Sequence, residues 1–98
     1  MSNVYLLAEI EAKPGLSESL YTLLTTLVTE SRKEEGCITY ELLQDIEKEE
    51  LFIMREEWKS EQALTEHQQT PHFQYFVTTA QELNLLDKLD VKSFKIVA

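Results

Sequence analysis

Residues that cross-link or interrupt a fold are scarce in this chain. One cysteine, Cys37, two glycines and two prolines occur in 98 residues. A single thiol excludes an intrachain disulfide and a cysteine-built zinc site, and points to a reducing cytoplasm. So little glycine and proline leaves no linker, repeat or low-complexity segment, so one domain over 1–98 is expected. No apolar run approaches the ~20 residues that span a bilayer. No basic stretch leads into an apolar run near the start, so no secretory leader is expected. Basic residues are few as well: nine Lys and Arg against eighteen Asp and Glu give a net charge of -9. That balance disfavours nucleic acid and anionic membrane as partners.

What is present is periodic. "NVYLLAEIEA" alternates, with Val4, Leu6, Ala8, Ile10 and Ala12 on one side and Tyr5, Leu7, Glu9 and Glu11 on the other, which predicts a strand. "KPG" breaks it. Leu16, Leu20, Leu23, Leu24, Leu27 and Val28 then recur at steps of three and four. They predict an amphipathic helix of about five turns, with Gly36 as its C-terminal stop. "CITYELLQD" and "ELFIMREEW" predict a hairpin around the polar "DIEKEE". Ser60 can cap a short helix carrying Ala63, Leu64 and His67 inward. Thr70 and Pro71 open a further helix showing Phe73, Phe76, Val77, Ala80 and Leu83, and "VKSFKIVA" predicts a last strand. The order β-α-β-β-α-β, with its second helical region broken in two, is the ferredoxin-like α+β arrangement, helices on one face of an antiparallel sheet.

Alternation assigns the strand faces. Ile38, Tyr40 and Leu42, and Phe52, Met54, Glu56 and Trp58, are expected under the helices. The open face then mixes Tyr5, Leu7, Leu43, Leu51 and Ile53 with Glu9, Glu41, Arg55 and Glu57. Such a face suits a two-fold homodimer packed sheet on sheet, with Arg55 paired to carboxylates.

The only two histidines lie in "TEHQQTPHFQYF", five residues apart. That is not the i, i+4 spacing that puts two ligands on one helix face, and no third ligand stands out nearby, so no metal site is expected. His67 is expected to lie inward, half-buried, with a backbone carbonyl as partner. His72 falls in the first turn of the next helix, where the helix dipole disfavours its charged form. Cys37 has no basic neighbour in sequence to activate it and reads as a small buried hydrophobe. Glu56 and Glu57 are adjacent in a strand, point to opposite faces, and form no acid–base pair.

"EEGCITYELLQD", then "EEWKSEQALTEHQQTPHFQYF", with "AEIEAKPG" near the start, resembles the antibiotic biosynthesis monooxygenase (ABM) domain family over essentially the whole chain. The resemblance implies ferredoxin-like subunits that dimerise through their sheets, each with a pocket between sheet and helices. It also implies a choice of chemistries. One branch oxygenates phenols and quinols with O2 and no metal or flavin. For that chemistry the chain offers His67 as proton acceptor, with Tyr40 and Glu56 as further catalytic candidates. Phe52, Met54, Trp58, His72, Phe73 and Phe76 would contact a small aromatic or quinol-like substrate. A haem-degrading branch needs Asn, Trp and His where this chain has Ala8, His67 and Val77, so it is set aside. In some polyketide oxidisers an Asn stands four residues before the strand-end Trp, where this chain has Met54. A branch that processes phosphorylated autoinducer-2 shares "LQD" and "TPHF", but needs basic residues that the expected pocket lacks. A non-catalytic ligand-binding or stress-response module is the remaining alternative.

Overall fold

A computed structural model describes residues 3–98. The elements run β1 (Val4–Ala12), α1 (Ser17–Ser31), β2 (Cys37–Gln44), β3 (Leu51–Trp58), α2 (Glu61–Gln68), α3 (Pro71–Glu82) and β4 (Leu86–Phe94). The strands form one antiparallel sheet in the order β2-β3-β1-β4. This is the expected ferredoxin-like α+β arrangement, its second helical region split at Thr70-Pro71. Among the described residues no helix is long and apolar enough to cross a membrane.

The core follows from register. Leu6 faces Glu56, Ala8 faces Met54 and Ile10 faces Phe52 across β1 and β3. Directly paired residues share a face, so the two alternating sets expected to be buried do lie together. Leu20, Leu24, Leu27 and Val28 of α1 close over them. Phe52 and Trp58 are almost completely buried, each stabilising the fold by about 1.5–3 kcal/mol through area removed from water.

Local chemistry sets the boundaries. The turn after β1 needs Gly15, whose φ of 82° is costly for any residue with a β-carbon. Ser60 caps α2 by accepting from the Ala63 N–H at 3.1 Å. Thr70 caps α3 by accepting from the Phe73 N–H at 3.2 Å, with Pro71 at the first helical position. Helix α3 ends on Asn84, at φ 53°. The Leu85 N–H donates to the Ala80 carbonyl and the Asn84 N–H to that of Gln81. This is a Schellman closure with asparagine in the left-handed position.

Five expectations are corrected. Helix α1 has 15 residues, about four turns. Gly36 does not end it, since its φ is not positive. Glycine is required there because a β-carbon would collide with the methyl group of Ala63 in α2. Ile38 is about half exposed rather than under the helices. A register shift between Cys37 and Thr39 pairs Cys37 with Trp58 and leaves Ile38 out of the alternation. Leu83 is exposed, because it caps α3 instead of continuing its inward stripe. The last strand starts at Leu86, earlier than the "VKSFKIVA" stretch, and ends at Phe94.

Candidate active site

Under α2 and α3 the core opens into a cavity of about 100 Å³. Strand β1 supplies Leu6, Ala8 and Ile10 as its floor, α3 supplies Phe73, Phe76 and Val77, and β4 supplies Leu89 and Val91. Leu89 and Val91 remain about half exposed on this edge strand, so the cavity opens past them. Its chemistry comes from Tyr40, Glu56, His67 and Gln68. No lysine or arginine lines it.

Glu56 is brought here by strand alternation. It is 8% exposed, and the indole N–H of Trp58 donates to its Oε1 at 2.9 Å. Burial raises its pKa to about 7, against the opposing effect of the Trp58 hydrogen bond and with added repulsion from Glu34. Tyr40, on β2, is also pushed up, first by burial and then by Glu56, and stays a neutral phenol. His67 is 1% exposed. Its ring lies against Trp58 (centroids 4.5 Å apart), Phe73 (5.0 Å) and Tyr40 (5.4 Å). Burial lowers its pKa, outweighing the pull of Glu34, so the ring is neutral at neutral pH. The cavity thus holds a neutral base beside a carboxyl group that titrates near neutrality, an arrangement able to move protons.

The sequence reading missed Glu34. It lies in the loop after α1, and one carboxylate oxygen, Oε2, stands 2.7 Å from His67 Nδ1 and 2.7 Å from His72 Nε2. The expected backbone-carbonyl partner of His67 is therefore replaced by a carboxylate, and the third group absent from the neighbourhood in sequence is present in space. Among the described residues these three could supply metal-ligand atoms, all within 4.8 Å of one another. Both contacts are hydrogen-bond distances to a single oxygen. An ion with bonds of about 2.1 Å would push the three atoms to roughly 3 Å or more apart. With hydrogen on both ring nitrogens, the same distances suit two donors sharing one acceptor. In sequence, the only signal for Glu34 was the "EEG" of the family pattern.

Of the nine candidate residues, six line the cavity: Tyr40, Met54, Glu56, His67, Phe73 and Phe76. Phe52, Trp58 and His72 do not. Phe52 stacks on Tyr21 of α1, centroids 6.4 Å apart, and belongs to the apolar end of the core. Trp58 sits behind the cavity, where it holds Glu56 and backs His67. His72 is turned to Glu34. Cys37 is half-buried, and its thiol is pushed up to about 11 by burial and then by Glu34 and Glu56, which keeps it unreactive.

The family model described as antibiotic biosynthesis monooxygenase matches residues 3–79. This chain belongs to the antibiotic biosynthesis monooxygenase family. It is 41% identical over 88 residues to a protein of Bacillus subtilis (strain 168) named "Putative monooxygenase YcnE", covering 90% of this chain and 92% of that protein. Among solved structures, PA3566 from Pseudomonas aeruginosa superposes with a TM-score of 0.94 at 37% identity, covering 100% of this chain and 97% of that one. Rv0793 from Mycobacterium tuberculosis superposes with a TM-score of 0.90 at 26% identity, over 99% and 97% of the two chains.

Proposed function

We propose that this protein is a cofactor-independent monooxygenase that oxygenates a small phenol or quinol with O2. One observation carries the reading. His67 lines an apolar cavity, and its Nε2 is buried without a hydrogen-bond partner. A buried imidazole nitrogen with nothing to accept is destabilising unless a ligand supplies the missing proton. A phenolic O–H is such a ligand. His67 takes that proton, and the resulting phenolate gives an electron to O2, the step that triplet oxygen otherwise resists. One oxygen atom enters the ring and the other leaves as water with two hydrogens from the substrate, so that a naphthol and O2 give a quinone and H2O. Neutral Glu56 or Tyr40 can donate a hydrogen bond to the oxygen that gains charge.

Size constrains the substrate. About 100 Å³ is less than the ~150 Å³ apolar cavity that takes a benzene ring, so an aromatic substrate must reach out past Leu89 and Val91. Processing of phosphorylated autoinducer-2 has the acid–base pair in its favour, but a phosphate would meet Glu56 and no cation. A binding module without turnover would use the same cavity. We further place the protein in the cytoplasm as a homodimer through the open sheet face, where Leu7, Leu43 and Phe94 are each 41–49% exposed.

The test is oxygen uptake by metal-stripped protein with a panel of hydroquinones and naphthols, against heat-denatured protein. Uptake above the control for some members, with quinone formed, is expected. Uptake equal to the control throughout, with binding retained, would replace the enzyme by the binding module.

A further inference from the structure

The contacts of Glu34 determine which nitrogen of each histidine carries hydrogen. A carboxylate oxygen only accepts. Even protonated, a single oxygen could donate to one neighbour, not two. With His67 Nδ1 and His72 Nε2 both 2.7 Å from Oε2, both nitrogens carry hydrogen and donate when Glu34 is ionised. In a neutral imidazole the second nitrogen is then bare. For His67 that is Nε2, the atom with no protein partner. The two observations are independent: one concerns the outer side of the ring, the other its inner side.

We infer that Glu34 is the positioning residue of His67, fixing the ring with Nδ1–H toward the loop and the Nε2 lone pair toward the cavity, and that His72 holds Glu34 in place. This rests on the reading of His67 as proton acceptor. Glu34 does not line the cavity, so it acts through His67. Its charge also stabilises the imidazolium formed when the substrate proton arrives, as a buried carboxylate does behind a catalytic histidine elsewhere. The second hydrogen bond, from His72, holds the carboxylate oxygen in place against His67 Nδ1. The loop is held to the sheet: the Cys37 N–H donates to the Glu34 carbonyl at 3.1 Å, and the Lys59 N–H, just past β3, to that of Gly36 at 2.9 Å.

With only two histidines in the chain, the imidazole nitrogens can be read directly. Protein labelled with ¹⁵N-histidine, without substrate, is examined by long-range ¹H–¹⁵N correlation at pH 7.5. Opposite tautomers are expected, Nδ1–H on His67 and Nε2–H on His72. In Glu34→Ala, His67 should lose its Nδ1–H preference, while the wild-type spectrum stands by itself if that variant does not fold. Hydrogen on His67 Nε2 in the wild type, or an unchanged His67 in folded Glu34→Ala, would overturn the inference. On any substrate found by oxygen uptake, Glu34→Ala should lower kcat about 10²-fold or more with little change in KM, and Glu34→Asp should recover part of it. A fall in KM-limited binding alone would also overturn it. The expected tautomers with no oxygen uptake on any substrate would leave the positioning role standing and remove the oxygenase reading.

Discussion

On the face covered by helices, ionisable groups are few and nearly every one is held by a neighbour: Glu56 by Trp58, His67 by Glu34, Glu34 by His72. On the opposite face, charges are plentiful and the ladder pairs them cheaply. Arg55 meets Glu41 across β3 and β2, and Lys88 meets Glu9 across β4 and β1. These exposed pairs are screened by water and contribute little to stability. The same sheet therefore carries one face where a charge shifts chemistry and another where charge mostly keeps apolar residues soluble. Burial makes the difference, since an interaction that water screens outside becomes decisive inside.

The sharpest way to break the contrast is to remove the one buried base. His67→Ala should lower turnover about 10²–10⁴-fold in a folded protein, measured by initial rates and thermal melting together. Near-normal turnover would move the proton acceptor to Tyr40 or Glu56. Next comes Glu56→Gln, which keeps an acceptor for the Trp58 N–H but cannot ionise. In the wild type the folded-state pKa of about 7 lies above the unfolded value of 4.5. The folded protein holds that proton more tightly, so the contribution is full below pH 4.5 and is lost as pH rises through 7. Relative to wild type, the variant should gain roughly 3 kcal/mol between pH 4.5 and pH 8, read by urea unfolding at both values. His67, with its depressed pKa, contributes the opposite slope below 6.5, where protonation favours unfolding. It is common to both proteins. A flat difference would show that Glu56 is ionised in the fold at ordinary cost.

The open face should respond in assembly rather than chemistry. Leu7→Lys with Ile53→Lys is expected to give monomers in sedimentation at micromolar concentration, with each fold altered by about 0.5 kcal/mol or less. A wild type that already sediments as a monomer would remove the dimer. The smallest expected effect is that of chelation: activity on a confirmed substrate should be unchanged. Stoichiometric zinc or iron, with activity lost on its removal and restored on its return, would mean that Glu34, His67 and His72 hold an ion.

Elements with strict periodicity were legible in the sequence. The alternation in β1 and β3 and the three-four spacing in α1 are each imposed by one buried face, and both caps, Ser60 and Thr70, carry their own chemistry. Ile38 was misread because a register shift leaves no mark in alternation. Gly36 was misread because a residue that ends a helix and one that admits a neighbouring methyl group look alike in sequence. The site was half legible. Tyr40, Glu56 and His67 followed from strand and helix faces. Glu34 could not, since it is 33 residues from His67 and lies in a loop without periodicity. Phe52 and Trp58 were placed at the cavity for being large and inward, although size does not say which end of a core a ring occupies.

Gly36 and Ala63 touch, and that contact fixes how near the loop bearing Glu34 comes to the helix bearing His67. Neither residue has a functional group, yet a β-carbon at position 36 would collide with Ala63 and press the loop bearing the carboxylate away from the helix bearing the imidazole. A library screened for loss of activity would accordingly yield bulky replacements at positions 36 and 63 alongside the histidine itself. In such variants the chemical groups would all remain, separated by the width of a methyl.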